Sequence, residues 1–265
     1  MTAVLERFAV ETPVGDLHAL RARPDGEQRG IALIVPGFTG RADDYIDVQT
    51  DAAAHGWQTV AFSQRGQRGS AAPAGEANYT LPELAGEVVR VAEAIGGGGL
   101  VHVVGHSLGG LVAREAVVAH PDGFASLTMF CSGPAGRPQS HAGEAELVRA
   151  QGSAAIWHRD HPRGVLSPQD ELDRERFAET SVDNIVAGVQ ILREAADITP
   201  AVVATQVPVL VLHGDSDDVW PIADQYDMAV RLGAEYRVIP DAGHLPNVDN
   251  PAVTARFLSE FWAEF

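Results

Sequence analysis

The run Gly105-His106-Ser107-Leu108-Gly109-Gly110 decides how the rest of the chain is read. It follows the apolar stretch Leu100-Val101-His102-Val103-Val104. It precedes Leu111-Val112-Ala113-Arg114-Glu115-Ala116-Val117-Val118, which has helical character. A strand, a sharp turn and a helix in that order place Ser107 on a tight, strained bend, its hydroxyl projecting from the top of a sheet. Glycine at 105 and 109 permits the bend, because side chains there would collide with neighbouring elements. The helix that follows aims free backbone N–H groups, with positive dipole character, at the serine. The plainer reading is a Gly-rich turn around an inert serine, so the partners of Ser107 decide.

Upstream, Arg7 to Thr12 and Asp16 to Arg23 read as a hairpin joined by Pro13-Val14-Gly15. Ile31 to Val35 is a continuous apolar run suited to a strand buried on both faces. Ala42 to His55 reads as a helix, Gln58 to Phe62 as a strand, Pro82 to Ile95 as a helix. Downstream of the serine the helix runs to His120, and Leu127 to Cys131 reads as another strand. Strands alternating with helices imply right-handed crossovers and a mostly parallel sheet. The alternation stops from about Gly136 to Val203. Ser167-Pro168 reads there as a helix start. Thr180 or Ser181 caps a second helix with Ile185, Val186, Val189 and Leu192 on one face. Alternation resumes with Val207 to Leu212, a helix from Pro221 to Leu232, the strand Glu235 to Ile239 and a last helix from Pro251 to Phe265. The expected organisation is a core of residues 1–135 and 204–265 with a helical insertion at 136–203.

Composition narrows the function. The chain has 265 residues, enough to bury a sizeable core, and a net charge of −17 from 36 acidic and 19 basic residues. Every basic residue is arginine. The lack of lysine excludes Schiff-base chemistry and a phosphate-loop lysine. The acidic surface argues against nucleic acid and anionic membranes as partners. A single cysteine, Cys131, forbids an intrachain disulfide and fits a reducing compartment. Met1 to Arg7 has no long apolar core, and no stretch is long enough to span a bilayer, so a cytoplasmic monomer or homodimer is expected. No cofactor is expected. His158 and His161 lack further residues of ligand spacing, so no metal is expected either.

A serine hydroxyl needs a base, and the base needs an orienting group. His213-Gly214-Asp215-Ser216-Asp217-Asp218 closes the strand ending at Leu212, and Asp241-Ala242-Gly243-His244 follows the last strand. Both lie past strand C-terminal ends, where open α/β sheets place their sites. Asp215 and Asp218 compete with Asp217 for the acid position, with turn formation or helix capping as their alternative roles. His102 reads as a core residue, His106 as packing beneath the turn, and His213 as structural.

With these features in view, the chain resembles the α/β-hydrolases over nearly its whole length. The pattern is that of capped carboxylic-ester hydrolases of the lipase, esterase and lactonase group. Pro36-Gly37-Phe38-Thr39-Gly40 matches the family's H-G-F-x-G loop. Gln64-Arg65-Gly66 with Gly69-Ser70 resembles its R-G-x-G-x-S turn with shifted spacing, and Ala242-Gly243-His244 matches A-G-H. The resemblance implies an eight-stranded, mostly parallel sheet with a helical cap. It implies Ser107 as nucleophile, Asp217 as acid, His244 as base, and an oxyanion hole from the N–H groups of Phe38 and Leu108. Pro36, Ser63 and Gln67 depart from the family, which usually has histidine, aspartate and histidine there.

The implied activity is hydrolysis of a carboxylic ester or lactone of a small, partly apolar molecule. The insertion should set substrate choice, with Ile156, Trp157, Val165, Leu166 and Ile185 as apolar candidates for the pocket. A C–C bond hydrolase or perhydrolase on the same fold is the alternative. The former needs an arginine from the insertion, and Arg137, Arg149, Arg159, Arg163, Arg174, Arg176 and Arg193 all qualify. A non-catalytic ligand-binding receptor is the reading outside enzymology.

Overall fold

The computed structural model describes residues 3–265. Met1 and Thr2, the first residues of the segment expected not to be a secretory signal, lie outside the described residues. Eight strands form one sheet in the spatial order β1 (Val4–Thr12), β2 (Gly15–Arg23), β4 (Trp57–Phe62), β3 (Gly30–Val35), β5 (Val101–His106), β6 (Phe124–Phe130), β7 (Val209–Gly214) and β8 (Glu235–Ile239). β1 and β2 pair antiparallel with each other, and β2 pairs antiparallel with β4. Every other neighbouring pair is parallel. The order runs outward from β3 to β4 on one side and to β5 on the other. The crevice at their C-terminal ends is therefore a topological switch point, where such sheets take ligands.

The apolar runs serve both sheet faces, because side chains alternate along a strand. Leu33 and Val35 of β3 join a core closed by α2 (Leu81–Gly96), α3 (Leu108–Ala119) and α9 (Ile222–Leu232). Ala32 and Ile34 face the opposite core, closed by α1 (Ile46–Ala54) and α10 (Pro251–Trp262). Val209 and Val211 against Leu210 and Leu212 repeat the division in β7. Between β6 and β7 lie α4 (Glu144–Gln151), α5 (Ala155–Asp160), α6 (Pro168–Ala178), α7 (Val182–Glu194) and α8 (Thr199–Thr205). Ser167 and Ser181 cap α6 and α7, each accepting from the N–H three residues on. α8 straddles the expected boundary at 203/204, and its Val202 packs into the main core.

Several boundaries moved, two of them for plain physical reasons. The helix expected over Ala42 to His55 opens as a tight 3₁₀ turn at Ala42–Tyr45, where the Asp44 carboxylate accepts from the Arg41 N–H at 3.0 Å. The strand expected to stop at Val104 continues to His106, because Gly105 and His106 pair with Met129 and Phe130 of β6.

The turn after β4 is held by a buried ion pair. Arg65 Nε lies 2.8 Å from Glu87 Oε1 on α2, with 2% and 1% of the two side chains exposed. The Arg65 N–H also donates to Glu87. Burial pushes the Glu87 carboxyl up, against the pull of Arg65. Glu87→Ala strands the guanidinium in the interior, at a cost of about 3–5 kcal/mol. Urea unfolding of the variant against wild type measures it, and a loss below about 1 kcal/mol contradicts the buried-pair account.

Candidate active site

Ser107 stands between β5 and α3 with φ 54° and ψ −120°, a conformation that L-residues rarely adopt. Close packing enforces it. A Cβ at Gly109 would sit 2.3 Å from the Val35 carbonyl oxygen. One at Gly105 would sit 2.4 Å from the Gly109 oxygen, and one at Gly110 2.4 Å from Ser132 Oγ. The Ser107 N–H donates to Phe130 C=O at 2.8 Å. Its C=O accepts from Ser132 Oγ at 2.8 Å and from the Gly110 N–H at 2.9 Å.

His244 reaches the serine from the loop after β8. Its Nε2 lies 3.0 Å from Ser107 Oγ, and its Nδ1 lies 3.0 Å from Asp217 Oδ1. Asp217 Oδ1 also accepts from the N–H groups of Val219 and Trp220, at 3.0 and 3.2 Å. Oδ2 accepts from Gln225 Nε2 at 3.0 Å. Burial raises the Asp217 carboxyl, but the hydrogen bond and charge of His244, with Gln225 and the Trp220 N–H, outweigh it and bring it down to about 2. The carboxylate is thus a fixed negative charge facing the imidazole.

The competing acids do other work. The exposed Asp215 accepts from the N–H groups of Asp241 and Ala242, at 3.0 and 3.3 Å, and so ties the β8 loop to the β7 loop. Asp218 is exposed. His213 is buried, and its Nε2 meets Tyr236 OH at 2.6 Å. His102 lies in the core with Nδ1 2.8 Å from Ser126 Oγ, edge-on to Trp57. His158 and His161 flank Trp157, the latter stacked on it at 4.5 Å.

His106 lies beneath the turn and also supports the site. Its Nε2 meets the His244 carbonyl at 2.9 Å, and its Nδ1 meets Tyr45 OH at 3.0 Å. Burial, helped by His244, lowers it to about 3. The ring is therefore neutral, and Nε2–H donates to the carbonyl while Nδ1 accepts from the tyrosine. His106, Cys131 and His244 come within 4.8 Å of one another. Both imidazoles already have a protein partner on each nitrogen, so the group does not fit a metal.

The loop Pro36 to Gly40 passes directly over the serine, since a Cβ on Gly37 would lie 3.1 Å from Ser107 Cβ. The two glutamines that depart from the family pattern, or stand beside that departure, hold it. Gln64 Nε2 donates to Pro36 C=O at 2.8 Å, and Gln67 Nε2 to Gly37 C=O at 2.9 Å. A peptide unit is planar, with N–H and C=O on opposite sides. Anchoring Gly37 C=O therefore aims the Phe38 N–H the other way. Ser132, by holding Ser107 C=O, does the same for the Leu108 N–H. Gln225, Gln67 and Ser132 were not singled out as site residues from sequence. Gln67 stood out only as a departure from the family pattern, and Gln225 left a trace as a polar residue on the apolar stripe with Met228 and Ala229.

Ser107 and His244 open onto a cavity of about 230 Å³. The lining corrects one expectation. Ile156 and Ile185 pack within the insertion's own core, Trp157 is buried, and Val165 and Leu166 are exposed. None of the five lines the cavity. The insertion contributes Arg137, Ser140, His141, Arg176 and Leu192 instead. Trp220 both lines the cavity and packs on Gly133, where a Cβ would lie 2.4 Å from the indole.

A profile described as the alpha/beta hydrolase family matches residues 32–257. The chain belongs to that family. It is 28% identical over 257 residues to a protein of Variovorax paradoxus provisionally named carbamate hydrolase RutD, covering 90% of this chain and 94% of the relative. It is 30% identical over 207 residues to the pimeloyl-[acyl-carrier protein] methyl ester esterase of Methylococcus capsulatus, covering 71% and 78%. The crystal structure of an enol-lactonase from Burkholderia xenovorans superposes with a TM-score of 0.81 at 20% identity, covering 97% and 100% of the two chains, which shows the shared fold. No helix among the described residues is long and apolar enough to cross a membrane.

Burial sets an acid limit. It lowers His102 to about 4 and His106 to about 3, from an ordinary 6.5. The unfolded chain takes up both protons near pH 6.5, while the folded chain refuses them until far lower pH. Their contribution is whole above pH 6.5 and falls as pH drops, by about 1.4 kcal/mol per unit for each group. Urea unfolding between pH 6 and 4.5 should show a slope about one proton shallower for His102→Gln. Equal slopes refute the assignment.

Proposed function

We propose that this chain is a serine hydrolase that cleaves a carboxylic ester or lactone of a small, partly apolar molecule through an acyl-enzyme. The observation that carries this reading is the double engagement of His244, hydrogen-bonded to Ser107 on one nitrogen and to Asp217 on the other, at the wall of a cavity. Ser107 Oγ attacks the carbonyl carbon while His244 Nε2 takes its proton. The Asp217 carboxylate holds Nδ1 protonated and stabilises the imidazolium. The proton then passes to the leaving alcohol oxygen, and water repeats the sequence on the acyl-enzyme.

The N–H groups of Leu108 and Phe38 receive the oxyanion. Leu108 opens α3, whose first N–H groups lack acceptors inside the helix. Phe38 is steadied by its ring, which lies against Gly188 of α7, where a Cβ would come within 2.9 Å. Residues 136–203 act as the cap over the site. A cytoplasmic location belongs to this reading, supported by the one free and buried cysteine. The partner is the small-molecule substrate.

Ser107→Ala should lower kcat on p-nitrophenyl acetate by about 10⁴-fold or more with the fold intact by circular dichroism. Asp217→Asn should cost about 10⁴-fold, while the exposed Asp218→Asn should not. Full activity of Ser107→Ala refutes the nucleophile, and damage from Asp218→Asn in place of Asp217→Asn refutes the acid. Losing one oxyanion donor costs roughly 10²–10³ in rate. Gln67→Ala frees the Phe38 peptide without deleting its N–H, so kcat should fall by about tenfold or more with KM little changed. A rise in KM alone shows that Gln67 shapes binding only.

A further inference from the structure

Seven arginines lie in the insertion, and two of them, Arg137 and Arg176, line the cavity that holds Ser107 and His244. Arg176 is already neutralised, with Nη2 2.8 Å from Asp44 and Nη1 2.9 Å from Asp173. Outside the cavity, Arg149 pairs with Glu76, Arg159 with Glu144 and Asp160, and Arg174 with Glu171. Arg137 differs. Its guanidinium donates from Nη1 to the Val219 carbonyl at 2.7 Å, and it pairs with no carboxylate among the described residues.

Its placement is firm. The Arg137 N–H donates to Leu192 C=O and the Gly136 N–H to Ala195 C=O, both at 2.7 Å, which pins this segment to the end of α7. The Ser140 N–H donates to Arg137 C=O at 2.9 Å, and the resulting turn brings the Ser140 side chain to the same wall. Val219, which holds the guanidinium through its carbonyl, gives its N–H to Asp217. One turn thus sets both the acid of the site and this cation. In a chain of net charge −17, an arginine that lines the cavity without a carboxylate partner among the described residues stands out. Its remaining N–H fork matches a carboxylate, and such charge-assisted pairs are the strong ones.

We propose that Arg137, with Ser140 beside it, binds a carboxylate on the substrate, so that the substrate class is an ester or lactone of a small molecule that also carries a carboxylic acid. This rests on the hydrolase reading and adds the substrate class. The acid group can sit on the acyl half or on the alcohol half, and the test separates them.

In one arm, the full chain is assayed on monomethyl esters of straight-chain dicarboxylic acids and on the matching dimethyl esters. In the other arm, acetyl esters of hydroxy acids are compared with acetyl esters of simple alcohols. The wild type should favour the acid-bearing member in one arm by about tenfold or more in kcat/KM. Arg137→Gln should erase that ratio through KM, and Arg137→Lys should restore part of it. Arg163→Gln, on an exposed residue of the same segment, should leave the ratio as it is, which separates a local contact from overall charge. If Arg137→Gln does not fold, Arg137→Lys carries the test: the ratio should fall below wild type through KM, and an unchanged ratio overturns the proposal. The proposal is overturned if the wild type turns over the neutral esters with no preference in either arm, or if the preference survives in Arg137→Gln. Absence of any Ser107-dependent ester turnover is a different result and refutes the underlying hydrolase reading.

Discussion

The close approach of the β5–α3 turn to the end of β3 governs the site. At Gly109 a methyl group would stand 2.3 Å from the Val35 carbonyl oxygen, and at Gly105 it would meet the backbone of the same helix. Removing side chains at these points brings three elements into backbone contact. That contact forces Ser107 to φ 54°, which lifts its hydroxyl out of the sheet plane. A strained residue persists only when its surroundings over-determine it. Here the end of β6 and the loop after it supply that restraint, through Phe130, which accepts from the serine N–H, and Ser132, which donates to the serine C=O.

The donors proposed to face developing charge are main-chain groups, and their direction is set from behind. Gln67 grips Gly37 C=O, Ser132 grips Ser107 C=O, and peptide planarity converts each grip into an orientation of the next N–H. His106 applies the same economy to His244: a neutral ring under the β5–α3 turn donates to the His244 carbonyl and so positions the backbone that carries the imidazole. None of these groups touches the reacting atoms. They fix geometry before substrate arrives, which is what electrostatic preorganisation requires.

The middle of the sheet was legible because its strands include apolar runs buried on both faces, as in Ala32 to Val35 and Val209 to Leu212. The positions of Ser107, Asp217 and His244 were legible because glycine-rich turns mark strand ends, and the three stand in the structure at the C-terminal ends of β5, β7 and β8. The supporting residues were not. Gln64 looks like an ordinary polar loop residue and Gln67 like a departure from a family motif, and their value lies in which carbonyl they reach, a property of the folded loop. Asp215 and Asp217 have the same side chain two positions apart; the β-loop geometry alone sends one to solvent and backbone N–H groups and the other to the imidazole.

The insertion was the least legible part, because hydrophobicity misleads there. Ile156, Trp157 and Ile185 are apolar and are used to hold the helices to one another, so they are unavailable to a ligand. What remains for the cavity is what the packing does not consume, and the same logic sorts the charges. An arginine in sequence says nothing of its partner. In the fold Arg176 meets Asp44 and Asp173, and its charge is spent on structure. Arg137, tethered to a carbonyl that only partly satisfies it, keeps its charge available to the cavity. The side chain proposed to carry specificity is the one left over after the fold has satisfied its own demands, which is why a six-residue motif points to the proposed nucleophile and no motif points to the proposed substrate class.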